Sequence, residues 1–336
     1  MPHQIKEMTF LNKSILVCGG SGFVGSNMLK ALLPRTKNLS ATRRTHKPHI
    51  TDDSIHWHQG DLTERTFCQQ VVKQENRRDP VDIIIQCAAN TSGAKVMKEN
   101  PQAHVTENIL MNTILLEEAA KANVPHFVFI SSSTVYPPLD HPAKEEEGFL
   151  GDPAPIYFGV GWMKRNVEKL CEFYQKSQGM KITIVRPGQI AGKFCHHNPD
   201  TAHMLPAIIH RVLEGENPLT VWGSPQVSRD FLYIEDFVEG VMKAIQYNVP
   251  VINLASGNLV TNGEIVNLIL KHTTRFRHHK DLPVSYDESQ PTTIEKREID
   301  ITLADKKKLL PSVLTPLDTI VKRTVDWIAH DLHNQT

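Results

Sequence analysis

The sequence has 336 residues, enough for about two domains of typical size and for a large core without disulfide or metal support. Its 37 acidic and 37 basic residues give a formal net charge of zero, so no overall field attracts nucleic acid or an anionic membrane. The five cysteines are scattered and form no C-x-x-C pair, which suits a reducing compartment. Because no long apolar segment is visible near the N-terminus, we predict a cytoplasmic protein with no metal site and no nucleic-acid or membrane partner.

Short apolar runs alternate with segments of helical period through the first half of the chain. This alternation is typical of a parallel sheet covered by helices on both faces. The predicted strands are Ser14–Cys18, Leu39–Thr42, a segment near His56–His58, Ile83–Cys87, Phe127–Ser131 and Ile182–Val185. The predicted helices include Gly25–Leu33, which Pro34 ends, and a segment within 101–123. The sequence therefore predicts an α/β fold with a doubly wound parallel sheet.

The regular alternation is lost after about residue 187, where Pro and His become frequent. We therefore predict a dinucleotide-binding domain over residues 1–186 and a smaller α/β lobe over residues 187–336. The second part is expected to bind the substrate, with segments around 229–254 returning to the first domain.

A glycine-rich turn, Gly19-Gly-Ser-Gly22-Phe-Val-Gly25, follows the first predicted strand and opens the first helix. We call it the glycine loop. Its G-x-x-G-x-x-G spacing is that of dinucleotide-binding turns, in which the helix N-terminus faces the pyrophosphate. Gly19 allows the tight turn, Gly22 the approach of the backbone to the pyrophosphate, and Gly25 close packing of the helix on the strand. We assign these glycines, with Phe23 and Val24, to cofactor binding; the alternative is a strand-to-helix turn with surplus glycine.

The end of the second strand distinguishes NAD from NADP. A carboxylate there binds the ribose of NAD, whereas this sequence has Arg43 and Arg44 where a 2′-phosphate would lie. This favours NADP over NAD, unless both arginines are ordinary solvated loop residues. Asp61 and Leu62 follow the third strand, and we assign them to the adenine end of the cofactor.

Further motifs resemble those of the extended short-chain dehydrogenase/reductase family that acts on nucleotide sugars. They are Cys87-Ala-Ala89, Asn108-Ile-Leu-Met-Asn-Thr113, Ile130-Ser-Ser-Ser-Thr-Val-Tyr136, Arg186-Pro-Gly-Gln-Ile-Ala-Gly192, Val221-Trp-Gly-Ser224 and Arg229-Asp-Phe-Leu-Tyr-Ile-Glu-Asp236. The stretch from His203 through Arg229 looks closest to GDP-fucose synthases and related epimerase/reductases. The resemblance implies a Rossmann fold, a homodimer, a nucleotide-diphosphate sugar as substrate, and hydride transfer between nicotinamide and a sugar carbon in epimerisation or 4-keto reduction.

The resemblance also implies roles for individual residues. Ser132 takes the position of the catalytic hydroxyl, and Ala88 and Ala89 lie at the cofactor. Ser133 and Thr134 lie against the sugar, at positions that hold an acid pair in sugar dehydratases and a cysteine in fucose enzymes. Their presence argues against both 4,6-dehydration and double epimerisation. The alternative is that these hydroxyls only cap a turn.

The second half of the chain supplies the remaining implied contacts. Arg229 grips the nucleotide diphosphate, unless it forms a structural salt bridge with a neighbouring aspartate. Gln189 lies near the pyrophosphate in place of the family's usual asparagine, and Trp222 contacts the substrate. His203 aligns with an acid/base histidine, the alternative being a polar residue that begins a helix.

The family's tyrosine and lysine lie four residues apart on one helix, and this spacing is disrupted here. Tyr157 has Gly161 at the lysine position, whereas Lys164 has Val160 at the tyrosine position. On a regular helix Tyr157 and Lys164 lie about 10 Å apart along the axis, too far for direct pairing.

Two glycines, Gly159 and Gly161, are unfavourable inside a helix, each by about 1 kcal/mol relative to alanine. We therefore predict that the helix breaks over Phe158–Gly161 and brings Tyr157 beside Lys164. The alternatives are that Tyr157 acts alone as a general acid, or that the protein binds a dinucleotide with weakened or lost catalysis. A reductase acting on a carbonyl outside nucleotide sugars also stays open, because the fold does not determine the substrate.

Overall fold

The structure is a computed structural model, and it describes residues 10–91, 93, 96, 99–276, 281–290 and 294–335. Residues 1–9, part of the N-terminal segment for which we predict no membrane anchor, lie outside the described residues. Every helix in the described ranges is too short or too polar to cross a membrane.

Seven parallel strands form the main sheet. They are β1 (Phe10–Cys18), β2 (Thr36–Arg43), β3 (Ile55–Gln59), β4 (Ile83–Gln86), β5 (His126–Ile130), β6 (Lys181–Pro187) and β10 (Val251–Leu254). Their order across the sheet is β10-β6-β5-β4-β1-β2-β3. The strand order reverses beside β1, and ligands of open α/β sheets bind outside the carboxyl ends of strands at such a point. Each of the six predicted strands is present, and the predicted doubly wound α/β fold is confirmed.

Helices cover both faces of this sheet. The helices of the described residues are α1 (Phe23–Leu32), α2 (Arg65–Arg78), α3 (Thr106–Lys121), α4 (Phe158–Gln178), α5 (Met204–Leu213), α6 (Ile234–Gln246), α7 (Asn262–Thr273), α8 (Thr302–Lys306) and α9 (Leu317–Gln335). Helices α2, α3 and α4 pack side by side, and α1 packs against α6. Pro34 lies in a 3-10 turn, Leu33–Arg35, that follows α1 directly.

Strand β1 shows why the central strands read as continuous apolar runs. Successive side chains of a strand point to opposite faces of the sheet. Ile15 and Val17 belong to the core with α1 and α6, whereas Leu16 and Cys18 belong to the core with α2, α3 and α4. Both faces are buried, so no position of the strand's second half needs to be polar.

The strands that follow β6 form smaller sheets, apart from β10. They are β7 (Gln189–Ala191), β8 (Leu219–Trp222), β9 (Ser228–Tyr233), β11 (Leu259–Thr261) and β12 (Val284–Asp287). One sheet has the order β11-β9-β7, and the other pairs β12 with β8. Strand β10 pairs with β6 at the edge of the main sheet. The division of the chain into two domains near residue 187 stays a prediction.

Candidate active site

The glycine loop connects β1 to α1 by close contacts between backbone atoms. Gly19 has a positive φ of 78°, and a Cβ atom on it would lie 2.6 Å from the Cα of Ala88. A Cβ on Gly25 would lie 2.1 Å from the carbonyl oxygen of Gly19. A Cβ on Gly22 would have more room, 3.3 Å from that same oxygen. Gly19 and Gly25 are therefore required by the fold itself, whereas Gly22 keeps one side of the turn open.

Helix α1 begins at Phe23, with Gly22 as its N-cap and no side chain capping it among the described residues. The first amide groups of a helix carry partial positive charge and need acceptors. Phe23 and Val24, both half-buried, occupy this first turn. The uncapped turn beside an open glycine fits the pyrophosphate of a dinucleotide.

The end of β2 is hydrogen-bonded to the glycine loop. Thr42 Oγ1 accepts from the amide of Gly19 at 3.0 Å, and the carbonyl of Thr42 accepts from the amide of Gly20 at 2.8 Å. Arg43 and Arg44 follow directly, so both predicted cofactor arginines lie beside the loop. Arg43 is half-buried and Arg44 is exposed.

Arg44 is engaged by two carboxylates. Its Nη1 lies 3.3 Å from Asp61 Oδ2 and 3.7 Å from Glu107 Oε2. Burial would raise the pKa of Asp61, but hydrogen bonds from Thr63 and Arg44 outweigh it and lower this pKa. Leu62 is buried in the core beneath α2, so only its backbone is available to a cofactor.

The carboxyl ends of β4 and β5 carry the next predicted residues. Ala88, which is half-buried, and Ala89, which is exposed, follow β4, and Ala88 lies against Gly19 as described above. After β5, Ser132 Oγ accepts from the amide of Thr134 at 3.1 Å and so caps the short 3-10 turn Ser133–Val135. Capping is the structural alternative for Ser132, and it leaves the hydroxyl proton available to a ligand.

Thr134 and Ser133 differ in how their hydroxyls are satisfied. Ser133 Oγ accepts from Arg297 Nη1 at 3.2 Å. Thr134 Oγ1 is buried and has no hydrogen-bond partner within the described part of the chain. Leaving a buried hydroxyl unpaired is costly, and a bound ligand would remove this cost.

Tyr157 and Lys164 are not brought together, and the predicted break over Phe158–Gly161 is wrong. Helix α4 begins at Phe158 and continues to Gln178, with Tyr157 as its N-cap. A Cβ on Gly161 would lie 2.5 Å from Pro153 Cβ and 2.6 Å from the carbonyl oxygen of Thr134. Gly161 is needed for close packing of the helix against these residues, and this packing offsets its low helix propensity.

The side chains of Lys164 and Tyr157 contact different residues. Lys164 Nζ donates to the carbonyl of Ile130 at 2.8 Å and lies 4.7 Å from the centre of the Phe129 ring. Burial lowers the pKa of Lys164 to about 8. Tyr157 is buried, and the guanidinium carbon of Arg297 lies 4.3 Å from the centre of its ring. Tyr157 therefore lies beside Arg297, whereas Lys164 is bound to the end of β5.

A small pocket gathers residues from distant segments of the chain, and we call it the arginine pocket. Its lining includes Ser133, Tyr157, Gln189, Arg229, Arg297 and Ile299. Ser133 follows β5, Tyr157 precedes α4, Gln189 begins β7, and Arg229 lies in β9. Four residues that we assigned to catalysis or substrate binding are thus in one place.

Two guanidinium groups dominate the electrostatics of this pocket. Arg229 Nη1 donates to the carbonyls of Ser228 and Glu295, at 2.6 and 3.2 Å. Burial and the positive charge of Arg297 lower the pKa of Arg229, against an opposite effect of Tyr157. Burial also lowers the pKa of Arg297. The neighbouring carboxylate of Asp230 instead accepts from the amides of Ser256 and Gly257. The pocket therefore holds two partly desolvated positive charges that a bound anion would stabilise.

Sequence reasoning did not identify Arg297. It lies in a segment of mixed charge, Glu295-Lys-Arg-Glu298, which carries no motif. The segment reaches the pocket through tertiary pairing, with Lys296 bridged to Ser228 and Ile299 bridged to Ala143.

Five residues that we assigned to catalysis or substrate binding do not line the arginine pocket, and His203 and Trp222 are the two that have not been described above. His203 is exposed and is the N-cap of α5. This position agrees with the alternative given above, that His203 is a polar residue that begins a helix. Trp222 ends β8 with 38% of its surface exposed. Catalytic and substrate roles for these two side chains stay predictions.

Comparison with known proteins identifies the family of the chain. Residues 15–255 match the "NAD dependent epimerase/dehydratase family". GDP-mannose 3,5-epimerase 1 of Oryza sativa subsp. indica is 24% identical over 330 residues, covering 96% of this chain and 83% of that protein.

Two solved structures share the fold. UDP-glucose 4-epimerase from Thermotoga maritima, with UDP-glucose, has a TM-score of 0.80 at 21% identity and covers 95% of this chain and 99% of that one. A GDP-L-fucose synthetase from Naegleria fowleri, bound to NADP, has a TM-score of 0.76 at 20% identity, with coverages of 96% and 94%. The predicted type of enzyme and its use of a nicotinamide dinucleotide are confirmed: the chain belongs to the NAD-dependent epimerase/dehydratase family.

Proposed function

We propose that the protein is a nucleotide-sugar epimerase or 4-keto reductase that uses NADP. The observation that carries this proposal is the arginine pocket, in which Arg229 and Arg297 face one small space. A diphosphate carries negative charge on both phosphates and offers several acceptor oxygens to the two guanidinium forks. Binding a diphosphate would replace repulsion between two cations by two charge-assisted interactions.

The same pair favours a nucleotide sugar over a simple carbonyl substrate. A reductase acting on a neutral aldehyde or ketone gains nothing from two guanidinium groups that are costly to bury. A nucleotide-diphosphate sugar uses both, with its diphosphate at Arg229 and Arg297. Its sugar then extends toward Ser132 and Thr134 at the carboxyl end of β5. The unpaired hydroxyl of Thr134 fits a contact with a sugar hydroxyl.

The glycine loop fits the cofactor for a separate reason. Its open side at Gly22 and the uncapped start of α1 suit a pyrophosphate, and Arg43 and Arg44 suit a 2′-phosphate. When bound, the nicotinamide exchanges a hydride with a carbon of the sugar. Lys164 has two ammonium protons left after its bond to Ile130, and we assign them to a ribose hydroxyl of the cofactor.

Proton transfer is assigned to the hydroxyls near the sugar. Ser132 donates to the sugar oxygen, because its own acceptor capacity is partly used by the amide of Thr134. Tyr157 exchanges a proton with that oxygen, and the adjacent guanidinium of Arg297 favours the phenolate that results. The phenol thus acts with an arginine neighbour in place of the family's lysine.

The direct test is to incubate the protein with NADP or NAD, each in its oxidised and its reduced form, and a panel of UDP- and GDP-sugars that includes 4-keto sugars. Products are identified by proton NMR, because epimerisation leaves no net change in the nicotinamide absorbance. We expect one nucleotide sugar to be converted. If a nucleotide sugar binds but is not converted, the second candidate is favoured, a dinucleotide-binding protein without catalysis, for which Val160 at the tyrosine position is the specific observation. Absence of binding to every nucleotide sugar contradicts both the substrate and the role of the arginine pocket.

We also propose a homodimer formed through α3 and α4. Three large apolar side chains of α4, Phe158, Trp162 and Phe173, are exposed, and so is Leu110 of the adjacent α3. The spacing of the α4 residues puts them on one side of the helix, where a second copy would cover them. Sedimentation equilibrium of wild type and of Phe173→Lys tests this, with a monomeric wild type contradicting it.

A further inference from the structure

A cluster of metal-binding side chain types lies on the edge strand β3, away from the arginine pocket. His56 and His58 are two residues apart on β3, so their side chains point to the same face of the sheet. Glu75 of α2 lies over that face. His58 Nε2 is 2.6 Å from Glu75 Oε1, and His56 Nδ1 contacts the same oxygen. One ligand atom from each residue lies within 4.8 Å of the other two.

A second observation concerns the other oxygen of the same carboxylate. Glu75 Oε2 accepts from Ser40 Oγ and lies 3.3 Å from Arg78 Nη1. These contacts hold the carboxylate so that Oε1 is directed at both imidazoles. Outer partners of this kind orient carboxylate ligands in metal sites.

Burial differs among the three residues in a way that suits an ion with one open position. The side chains of His58 and Glu75 are 8% and 5% exposed, whereas that of His56 is 48% exposed. A water molecule can therefore reach the cluster from the side of His56, while the other two ligands stay enclosed.

In contrast to our sequence-based prediction of no metal site, we propose that His56, His58 and Glu75 bind a divalent transition-metal ion, with Zn²⁺ as the best match. Two imidazole nitrogens, one carboxylate oxygen and a water complete a tetrahedral zinc site. Mg²⁺ and Ca²⁺ prefer oxygen ligands throughout and suit this cluster poorly. On binding, the ligand atoms separate from hydrogen-bond contact to about 3.3 Å, the edge of a tetrahedron with bonds near 2.0–2.1 Å. Protons held between the imidazoles and the carboxylate are released as the ion takes their place.

This site would link the outer strand of the sheet to α2. Strand β3 leads directly into Gly60 and Asp61, at the adenine end of the proposed cofactor site. The ion would therefore stabilise the sheet edge and would not take part in the reaction.

The test measures thermal unfolding of the full chain, first stripped with a chelator and then given Zn²⁺. We expect one equivalent of Zn²⁺ to raise the Tm of the wild type by about 5 °C. His56→Ala removes a half-exposed side chain and should abolish the shift. His141→Ala is the matched control, because His141 is also an exposed histidine that contacts carboxylates, those of Asp140 and Glu147. The control should keep the full shift.

Co²⁺ gives an independent measurement that does not depend on stability. Bound to the stripped protein, it should show the strong visible absorption of a four-coordinate site, and His58→Gln should lose this absorption. An equal Zn²⁺ shift in His56→Ala and wild type, no shift in the wild type, or a six-coordinate Co²⁺ spectrum would each overturn the proposal.

Discussion

The glycine loop consists of backbone from one short segment, whereas the arginine pocket consists of side chains from distant segments. In the loop, Gly25 must lack a side chain because the carbonyl oxygen of Gly19 occupies the space of a Cβ. In the pocket, Arg229 and Arg297 extend from β9 and from the segment before α8. The comparison teaches that the space available for side chains determines which residues the glycine loop tolerates. In the arginine pocket, the charge of the side chains determines which ligand can bind.

The charges of the two sites also differ in kind. The loop offers partial positive charge from the amides at the start of α1. The pocket holds two full positive charges, on the guanidinium groups of Arg229 and Arg297. Burial lowers the pKa of both groups. Substitutions should accordingly act on folding in the glycine loop and on ligand affinity in the arginine pocket.

The largest effect is expected in the loop. Gly25→Ala places a Cβ 2.1 Å from a backbone oxygen, and we expect a loss of about 3 kcal/mol in the free energy of unfolding. Gly22→Ala is the matched control, because its Cβ would lie 3.3 Å from the same oxygen, and it should cost less than about 1 kcal/mol. Urea denaturation of the three proteins measures both. Equal losses of unfolding free energy in the two variants would show that the close contact at Gly25 is not the cause of the destabilisation.

In the arginine pocket the expected change is in affinity. Arg297→Gln removes one charge-assisted contact, worth about 2 kcal/mol, and should weaken nucleotide-sugar binding about 30-fold. NADP affinity and the Tm should stay near those of wild type. Lys296→Gln is the control, since it removes a neighbouring exposed charge that is paired with Glu298. Calorimetric titrations with a nucleotide sugar and with NADP measure the two affinities separately. A parallel loss of NADP affinity would contradict the assignment of Arg297 to the substrate site.

The proposed contact between Lys164 and the cofactor ribose predicts a pH dependence. Its pKa of about 8 means that the ammonium loses its proton as pH rises through that value. If the ammonium binds the cofactor ribose, NADP affinity is constant below pH 7 and falls about tenfold between pH 7 and pH 9. Lys164→Met should bind more weakly, without this pH dependence. Fluorescence titrations across the range measure it, and an unchanged wild-type affinity at pH 9 would contradict the contact.

The smallest effect is expected at Arg43 and Arg44, at the end of β2. Arg43→Ala should reduce the preference for NADP over NAD by about fivefold, since a charge-assisted contact of a half-buried side chain contributes about 1 kcal/mol. Arg44→Ala should reduce the preference for NADP less, because the Arg44 guanidinium also forms ion pairs with Asp61 and Glu107. Dissociation constants for both cofactors in each variant test the order. A wild type that binds NAD and NADP equally would remove the basis for assigning a 2′-phosphate site.

Local sequence determined the fold class, the six strands and the glycine loop. Each depends on residues adjacent in the chain, such as the apolar run Ile15–Cys18 and the glycines that follow it. Burial of both strand faces and the steric demands of a tight turn act over a few residues. A single sequence therefore suffices to predict them.

The tertiary structure alone decided the course of α4, the role of Arg297 and the cluster at Glu75. Gly161 suggested a helix break by its propensity, yet it lies where Pro153 and Thr134 leave no room for a Cβ. Arg297 enters its pocket because Lys296 and Ile299 pair with segments far away in sequence. Glu75 meets two histidines only because α2 packs over β3. In each case the arrangement is stabilised by contacts between residues that are distant along the chain. A local sequence pattern cannot predict such contacts.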